Sequence, residues 1–263
     1  MIVPVLPVFA ASARARAALR RALPRGRARL VYCRTGAALA RTLATCLADG
    51  VIVDPRGSAG RDALAACRLN YPNLPRFVYT AFRPDDGLLL RECVALGAVP
   101  IVEGVEDAVL AELILPRTAS AAREASLVQA PRLLRLTEPI QERAWREVLR
   151  RAGLPIRASE VARTLKVSRE HLSRQFGAGG APNIKRVIDL ARTATAADLL
   201  SNPGYSVRGV ARILRFSSAS HLSGAARRVA GVSAAGLPGL GPRGVLAAFL
   251  RGRTRSRLAV SRS

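Results

Sequence analysis

A near repeat in the C-terminal half is the feature that most constrains the fold of this chain. The stretch ASEVARTLKVSREHLSRQF, residues 158–176, is echoed by SVRGVARILRFSSASHLSGAARRV, residues 206–229. VARTLK corresponds to VARILR, and HLS occurs in both copies. The offset between the copies is 49 residues before the central turn and 50 after it, so the second turn, RFSS, holds one inserted residue.

Each copy has the apolar spacing of two short helices joined by a tight turn. In the first copy, Val161 and Leu165 are four residues apart on one helix, and Leu172 and Phe176 are four apart on the next. Ser168 is placed to cap the second helix. The second copy repeats this spacing with Val210, Leu214, Leu222, Ala226 and Val229. Two such helices, the second with a polar and basic outer face, make a helix-turn-helix whose second helix can enter a DNA major groove.

The segment between the copies, residues 183–200, predicts one continuous helix. Its apolar residues recur at helical spacing and are Ile184, Val187, Ile188, Ala191 and Leu199. A helix of this length spans roughly 27 Å at about 1.5 Å per residue. That length suits a spacer that holds two recognition helices about one turn of DNA, roughly 34 Å, apart.

This arrangement resembles the DNA-binding domain of the AraC family of bacterial transcription regulators over about residues 139–238. The residues that carry the resemblance are Val161, Ala162, Leu165, Ser168, Leu172, Ser173, Arg174, Phe176, Arg192, Ser206, Val210, Ala211, Phe216, Ser218, Ser223, Arg227, Arg228, Gly231 and Ser233. The resemblance implies a transcription regulator that contacts two successive major-groove segments of DNA, with RNA polymerase as a further partner.

The chain also departs from the AraC pattern, and the departures weaken the second copy more than the first. Lys166 and Arg215 stand where the family usually has glycine, so each turn is expected to force a side chain into a strained left-handed conformation, at about 1 kcal/mol. In the second recognition helix, Gly224 replaces a residue that is often basic, and Ala226 replaces an aromatic one. After that helix, Ala234 replaces a proline. We therefore expect the first copy to carry more of the sequence discrimination.

The outer faces of the predicted recognition helices supply the candidate DNA contacts. With Leu172 and Phe176 directed inward, the outward residues of the first helix are Arg169, Glu170, Ser173 and Arg174. Those of the second are Ser218, Ser220 and His221, with Arg227 and Arg228 assigned to phosphate. Arginine can bind guanine through O6 and N7, and glutamate can accept a hydrogen bond from cytosine N4. The alternatives are a solvated face that contacts phosphate only and, for His221, a plain surface histidine.

Up to about residue 115, short β-branched runs alternate with longer Ala- and Leu-rich helical patterns. The runs are VPVLPVF, RLVYCR, VIVDP, RFVYTAF and AVPIVEG. Five βα units at a spacing of about 22 residues predict an α/β fold, a doubly wound parallel sheet with helices on both faces. Because proline cannot donate to a strand ladder, Pro4 and Pro7 predict that the first strand is short or lies at an edge.

These five units resemble the receiver domain of response regulators. Asp54 falls where that family has its phosphoacceptor, and Thr80 falls at its switch hydroxyl. The acids that follow the first strand of a receiver are missing at residues 9–10, and Glu103 stands where receivers have lysine. One aspartate alone is a poor Mg²⁺ site, and phosphoryl transfer needs the metal to neutralise charge. We predict a pseudo-receiver for homodimerisation or for input from a signal or partner; phosphorylation of Asp54, as in a two-component response regulator, is the alternative.

The charge of the chain indicates a polyanionic partner. The net charge is +24, and residues 137–263 hold 23 Lys and Arg against 7 acids, compared with 19 against 11 in residues 1–136. We expect double-stranded DNA to bind the C-terminal half, and a non-specific DNA-coating protein is an alternative. A P-loop, HExxH or GxGxxG after a strand is absent from the sequence, and the four cysteines show no CxxC spacing. We therefore predict no enzymatic activity, no metal and no cofactor.

These patterns divide the chain into four segments. They are a receiver-like α/β domain at 1–115, a linker with one short helix at 116–136, an AraC-type DNA-binding domain at 137–240 and a basic disordered tail at 241–263. No apolar run approaches the length of about 20 residues that a membrane helix needs. We expect a soluble cytoplasmic protein that does not enter the membrane, and a small-molecule effector site at the carboxyl ends of the strands stays open as an alternative.

Overall fold

The computed structural model describes residues 3–177 and 180–260. The chain forms two compact units, Met1–Ala122 with Asn202–Tyr205, and Arg123–Ser201 with Ser206–Ser263. Each unit buries apolar side chains of its own. In the described part of the chain, no helix is both long enough and apolar enough to cross a membrane.

The first unit is built on a five-stranded parallel sheet. Its strands are β1 (Val5–Phe9), β2 (Arg29–Cys33), β3 (Val51–Val53), β4 (Arg76–Thr80) and β5 (Ala98–Val102). The strand order is β2-β1-β3-β4-β5, and every pairing is parallel. Each strand coincides with one of the β-branched runs, so the predicted doubly wound α/β fold is confirmed.

β1 lies inside the sheet, and the expectation that its prolines place it at an edge is wrong. The strand pairs with β2 along its whole length. Its pairing with β3 begins only at Val8, which stands opposite Ile52. Pro7 precedes the first residue pair between β1 and β3, so no hydrogen bond to β3 requires the N–H that proline lacks.

Helices cover both faces of the sheet. They are α1 (Ala13–Ala22), α2 (Gly36–Thr45), α3 (Ser58–Asn70), α4 (Gly87–Ala95) and α5 (Leu110–Ile114), with 3₁₀ turns at Asp107–Val109 and Leu115–Arg117. One core cluster joins α1 and α5 to the sheet and includes Leu19 and Leu110. A second cluster joins α2, α3 and α4 to the sheet and includes Leu39, Leu64 and Cys93. Because all strands are parallel, the residues that follow them lie at one edge of the sheet.

The segment 116–136 contains more structure than the predicted linker. It holds two short helices, α6 (Ala119–Ser126) and α7 (Ala130–Leu133), instead of one. Leu127, Ala130 and Leu134 are buried, and Arg123 forms an ion pair with Asp198 at 3.0 Å. These apolar residues recur at three- and four-residue spacing, the helical signal that the mixed composition of the segment masked.

The second unit is helical throughout its described elements. After α7 come α8 (Pro139–Arg150), α9 (Ala158–Thr164), α10 (Arg169–Gly177), α11 (Ile184–Leu200), α12 (Val207–Ile213), α13 (Ala219–Ala230) and α14 (Gly241–Val260), with a 3₁₀ turn at Ala234–Gly236. α11 is the predicted continuous spacer, and Asn183 caps it by accepting a hydrogen bond from the Arg186 N–H at 3.0 Å. Twelve of its 17 residues are buried, so α11 is the central element of this unit.

The prediction of a disordered tail from residue 241 is wrong over the described part, where the chain forms α14. Val245, Leu246 and Phe249 are buried, and the Arg186 guanidinium carbon lies 4.9 Å from the centroid of the Phe249 ring. This apolar stripe packs on α11 and α13. The prediction weighed the arginines of the segment and overlooked the stripe; residues 261–263 of the predicted tail lie outside the described residues.

Candidate nucleic-acid interface

The two helix-turn-helix turns have the same backbone geometry. Lys166 has a φ of 57° and Arg215 a φ of 52°, both in the left-handed region. The Lys166 N–H donates to the Arg163 carbonyl at 3.1 Å, and the Val167 N–H donates to the Ala162 carbonyl at 3.0 Å. The second turn repeats both bonds, Arg215 to Arg212 at 3.1 Å and Phe216 to Ala211 at 2.8 Å. These bonds form a Schellman motif, which usually has glycine at the left-handed position, and the predicted left-handed conformation of both residues is confirmed.

A serine caps each recognition helix at the same position. Ser168 Oγ accepts a hydrogen bond from the His171 N–H at 3.0 Å, as predicted, and Ser218 Oγ accepts one from the His221 N–H at 3.0 Å. Ser218 was also a candidate DNA contact. With its oxygen engaged by the helix, its hydroxyl hydrogen is the group left to donate to a phosphate or a base.

The buried faces of α10 and α13 fix which side chains point outward. Leu172 and Phe176 of α10 and Leu222 and Ala226 of α13 have no exposed surface. All nine candidate DNA contacts are exposed to solvent, and they are Arg169, Glu170, Ser173, Arg174, Ser218, Ser220, His221, Arg227 and Arg228. Their contact with DNA stays a prediction.

His221 is held in place by a network that sequence reasoning missed. The inserted residue of the second turn is Ser217, whose Oγ lies 2.9 Å from His221 Nδ1. The Phe216 ring meets the His221 ring edge to face, with centroids 5.5 Å apart. The Phe216 ring also contacts the Arg192 guanidinium, whose carbon lies 4.0 Å from the ring centroid. The one-residue difference between the repeat offsets was the available signal for this network.

Arg192 joins the spacer helix α11 to the second turn. Its Nη2 donates to the Leu214 carbonyl at 2.7 Å, just before the left-handed residue. Burial lowers the pKa of the Arg192 guanidinium, and the charge of Asp189 partly opposes that shift. A part-buried, charge-assisted bond of this kind is stronger than a neutral one, so Arg192 restrains the second turn from the side of α11.

His171 occupies the corresponding place in the first copy without such a network. In the described part of the chain, its backbone N–H is bonded by the cap, and its ring has no hydrogen bond or ring contact. The first recognition helix is instead tied to α8, where the buried Gln141 donates through Nε2 to the Gln175 carbonyl at 2.7 Å. The two copies thus share a turn but differ in how their side chains are held.

In the first unit, an arginine occupies the edge of the sheet where the receiver resemblance places a phosphorylation site. The Arg56 N–H donates to Asp54 Oδ1 at 3.0 Å, and its Nε donates to Thr80 Oγ1 at 3.1 Å. Its Nη2 donates to the Ala81 carbonyl and pairs with Asp86 Oδ2 at 2.7 Å. Arg56 therefore ties the loop after β3 to the end of β4. The sequence prediction did not include it, although a basic residue two positions after Asp54 was visible.

Glu103 adds negative charge to the same edge. Its side chain is 8% exposed, and its Oε1 lies 3.8 Å from Arg14 Nε. Burial raises the pKa of Glu103, Arg14 opposes the shift, and the charges of Asp107 and Asp54 add to it. Among residues 3–177 and 180–260, no group of three or more His, Cys, Asp or Glu could hold a metal ion.

Comparison with known proteins agrees with the geometry of the second unit. The family model described as "Helix-turn-helix domain" matches residues 161–237, which include both turns and both recognition helices. The second unit therefore carries a helix-turn-helix domain, as the sequence predicted. No curated protein matches the chain.

Three solved structures are similar to the chain. A response regulator from Thermotoga maritima is 22% identical, covering 43% of this chain and 94% of that one, with a TM-score of 0.38. Full-length FixJ from B. japonicum is 17% identical, covering 86% and 96%, with a TM-score of 0.38. RcsB from Salmonella enterica serovar Typhimurium, bound to promoter rprA in the presence of phosphomimetic BeF3−, is 18% identical, covering 70% and 97%, with a TM-score of 0.35. The α/β fold of the first unit is established by its strand order, β2-β1-β3-β4-β5.

Proposed function

We propose that this protein is a sequence-specific DNA-binding transcription regulator that contacts two adjacent major-groove segments through α10 and α13. The observation that carries the proposal is the duplication itself. Two turns, each with a left-handed residue at the same position, precede serine-capped helices with exposed polar faces. The spacer α11, about 26 Å long, has the length that sets two recognition helices about one DNA turn apart.

The charges on the recognition helices support DNA as the ligand. α10 presents Arg169 and Arg174 on its exposed face, beside Glu170. α13 carries Arg227 and Arg228 in its last turn and has no acidic residue. We assign Arg174 and Glu170 to base edges and the two arginines of α13 to phosphate, because phosphate contacts position a protein and base contacts specify the sequence.

Footprinting on a genomic target tests this proposal. We expect protection over two neighbouring helical turns and retained binding in the presence of excess random DNA. Arg174→Ala should weaken specific binding, whereas Arg146→Ala, which removes an exposed arginine from α8, should leave specificity unchanged. Equal affinity for all duplexes, with a steep dependence on salt, would instead identify a non-specific DNA-coating protein.

The first unit is proposed to be a pseudo-receiver that works without phosphorylation. Arg56 already bonds Thr80 and Asp86, so the proposed switch hydroxyl has a partner before any phosphoryl group arrives. Glu103 brings a carboxylate where receivers carry lysine, and a like charge near Asp54 disfavours a doubly charged phosphoryl group.

A small phosphodonor tests this part of the proposal. After incubation with acetyl phosphate and Mg²⁺, we expect no mass increase in the intact protein. A stable increase that is lost in Asp54→Asn would identify a phosphorylation-dependent response regulator instead. An Asp62→Asn variant is the matched control, because Asp62 is an exposed aspartate on α3.

An exposed apolar surface supports a homodimer through the first unit. Leu88 and Val94 on α4 are 68% and 55% exposed, and Val105, which follows β5, is 77% exposed. Leu88 and Val94 lie on the same helix, and contiguous exposed apolar groups mark interaction sites. Leu88→Asp with Val94→Asp should yield monomers in sedimentation, whereas Leu69→Asp on α3 should not.

RNA polymerase is the proposed partner for activation, which a reconstituted transcription assay tests.

A further inference from the structure

A cleft beside α1 has no part in the proposed function. It has a volume of about 610 Å³, is open to solvent, and is lined by Val8, Ala10, Ala11, Arg16, Arg20, Tyr32, Cys33 and Arg34. Small-molecule sites in proteins usually measure about 300–1,000 Å³. The cleft lies at β1 and β2, on the opposite side of β1 from Asp54, which follows β3. It lies at the same carboxyl edge of the sheet as Asp54 and Arg56, but neither of these residues lines it.

We propose that this cleft binds a nucleotide-sized organic polyphosphate. Three of its eight lining residues are arginines, and none is acidic. In the described part of the chain, Arg16, Arg20 and Arg34 form no ion pair, whereas Arg14 pairs with Glu103 and Arg56 pairs with Asp86 in the same unit. Grouped cations without a counterion repel one another, and a ligand with several negative charges would remove that repulsion.

The strand register explains why these cations meet. Phe9 of β1 stands opposite Cys33 of β2, so the next residues, Ala10 and Arg34, follow the strands at the same edge. Arg16 and Arg20 are four residues apart on α1 and share one face of the helix. Arginine forks also match the geometry of phosphate oxygens.

Tyr32 gives the cleft an aromatic wall that inorganic phosphate would not use. Its hydroxyl donates to the Arg16 carbonyl at 3.3 Å, and the Arg20 guanidinium carbon lies 5.4 Å from the centroid of its ring. The ring is half-buried and Val8 is buried, so apolar surface lies next to the arginines. This combination suits a ligand with a planar base or sugar as well as phosphates, and the volume of the cleft excludes a DNA duplex.

Isothermal titration calorimetry on the full-length protein at about 0.15 M salt tests the proposal. The probes are ATP, ADP, pyrophosphate and inorganic phosphate. We expect one saturable site for ATP and ADP, with inorganic phosphate at least about tenfold weaker. The variant Arg20→Gln with Arg34→Gln should weaken ATP binding at least about tenfold, which corresponds to about 1.4 kcal/mol. Both arginines are exposed, so their removal leaves no buried group without a partner.

The matched control is Arg41→Gln with Arg68→Gln, which removes the same charge from exposed positions on α2 and α3. It should bind ATP within about twofold of the unmodified protein, a difference of less than about 0.5 kcal/mol. Equal losses in the two double variants would show general charge attraction and overturn the proposal, as would absence of binding by all four probes. Weakened DNA binding with unchanged ATP binding in Arg20→Gln with Arg34→Gln would assign these arginines to nucleic acid instead. Footprinting reports on the DNA proposal independently, so failure of one leaves the other standing.

Discussion

The two helix-turn-helix copies share a backbone but differ in what their recognition helices carry. At the offset of 50 residues, Arg174 of α10 corresponds to Gly224 of α13, and Phe176 corresponds to Ala226. The first copy therefore has an arginine able to bind a base and a buried aromatic anchor. The second lacks both, yet it holds His221 through Ser217 and has α14 packed on its recognition helix.

The difference teaches that a duplicated unit can separate two requirements of DNA recognition. Bidentate side chains supply discrimination between bases, whereas a fixed helix and phosphate contacts supply position. In the proposed function, the first copy supplies discrimination through Arg174. The second supplies position, with Arg227 and Arg228 at the end of α13 and Arg192 restraining its turn from α11.

The largest expected effect comes from removing the aromatic anchor of the first copy. Phe176 has no exposed surface, and Phe176→Ala should lower the free energy of unfolding of the second unit by about 3–5 kcal/mol through loss of contacts and a cavity. Urea unfolding followed by circular dichroism measures this. Phe176→Leu is the control and should lose less. A loss below about 1 kcal/mol would show that the first copy does not depend on this anchor.

The comparison itself is tested by Arg174→Ala against His221→Ala on the genomic target. Arg174→Ala should cost about 1–3 kcal/mol of specific binding and relax specificity at one base pair. His221→Ala should cost less, because a single imidazole offers fewer hydrogen bonds to a base than a guanidinium. Fluorescence anisotropy at fixed salt measures both. A larger loss from His221→Ala would reverse the assignment of roles.

Ser217→Ala sharpens the same comparison. If Ser217 acts only by orienting the His221 ring, its loss and His221→Ala should not add in the double variant. Each change should cost no more than about 1 kcal/mol of binding, since the hydrogen bond is exposed to solvent. Additive losses in the double-mutant cycle would mean that Ser217 contacts DNA by itself.

Gly224 offers a way to give the second copy what it lacks. A Cβ at this position would meet Arg228 Nη1 at 3.4 Å, the end of a flexible side chain, so the Cβ of a larger residue is accommodated. Gly224→Ala should stabilise α13 by about 0.5–1 kcal/mol, because glycine is a poor helix former. Gly224→Arg should add tighter DNA binding to that gain. Thermal unfolding of the Gly224→Ala variant gives the gain in stability alone, so any further gain in DNA affinity in Gly224→Arg comes from the arginine. Equal DNA affinity of Gly224→Ala and Gly224→Arg would contradict the proposed contact between the arginine and DNA.

Much of the fold could be predicted because its signals are local. The β-branched runs gave all five strands, and the repeat gave both turns. The left-handed conformation of Lys166 and Arg215 followed from the AraC resemblance, because that family usually has glycine there. The prediction failed where composition outweighed spacing. The arginines after Gly241 suggested disorder, while Val245, Leu246 and Phe249 supplied the stripe that folds α14.

The candidate sites were harder to predict because their contacts join residues far apart in sequence. The exposed faces of α10 and α13 followed from helical periodicity. The bond from Arg56 to Thr80 and the stacking of Arg192 on Phe216 bridge about two dozen residues each, and depend on which strands and helices become neighbours. The cleft at Arg16 and Arg34 likewise needs the register of β1 and β2, which the sequence pattern does not specify.

The smallest expected effect is a gain in stability from placing glycine at the left-handed position of each turn. The gain should be the same in both copies, and this equality is what the experiment tests. Lys166→Gly and Arg215→Gly each relieve a left-handed conformation that costs about 1 kcal/mol, while glycine adds a smaller entropy cost in the unfolded chain. Because φ is 57° at one residue and 52° at the other, we expect two similar gains in stability, each below about 1 kcal/mol. Thermal unfolding measures them, and Gly231→Ala, at a φ of 74°, is the opposite control and should destabilise. Unequal gains in stability would mean that the two turns differ in more than their side chains. In that case the bond from Arg192 to the Leu214 carbonyl would help to hold Arg215 in its left-handed conformation, whereas Lys166 adopts the same conformation without such a bond.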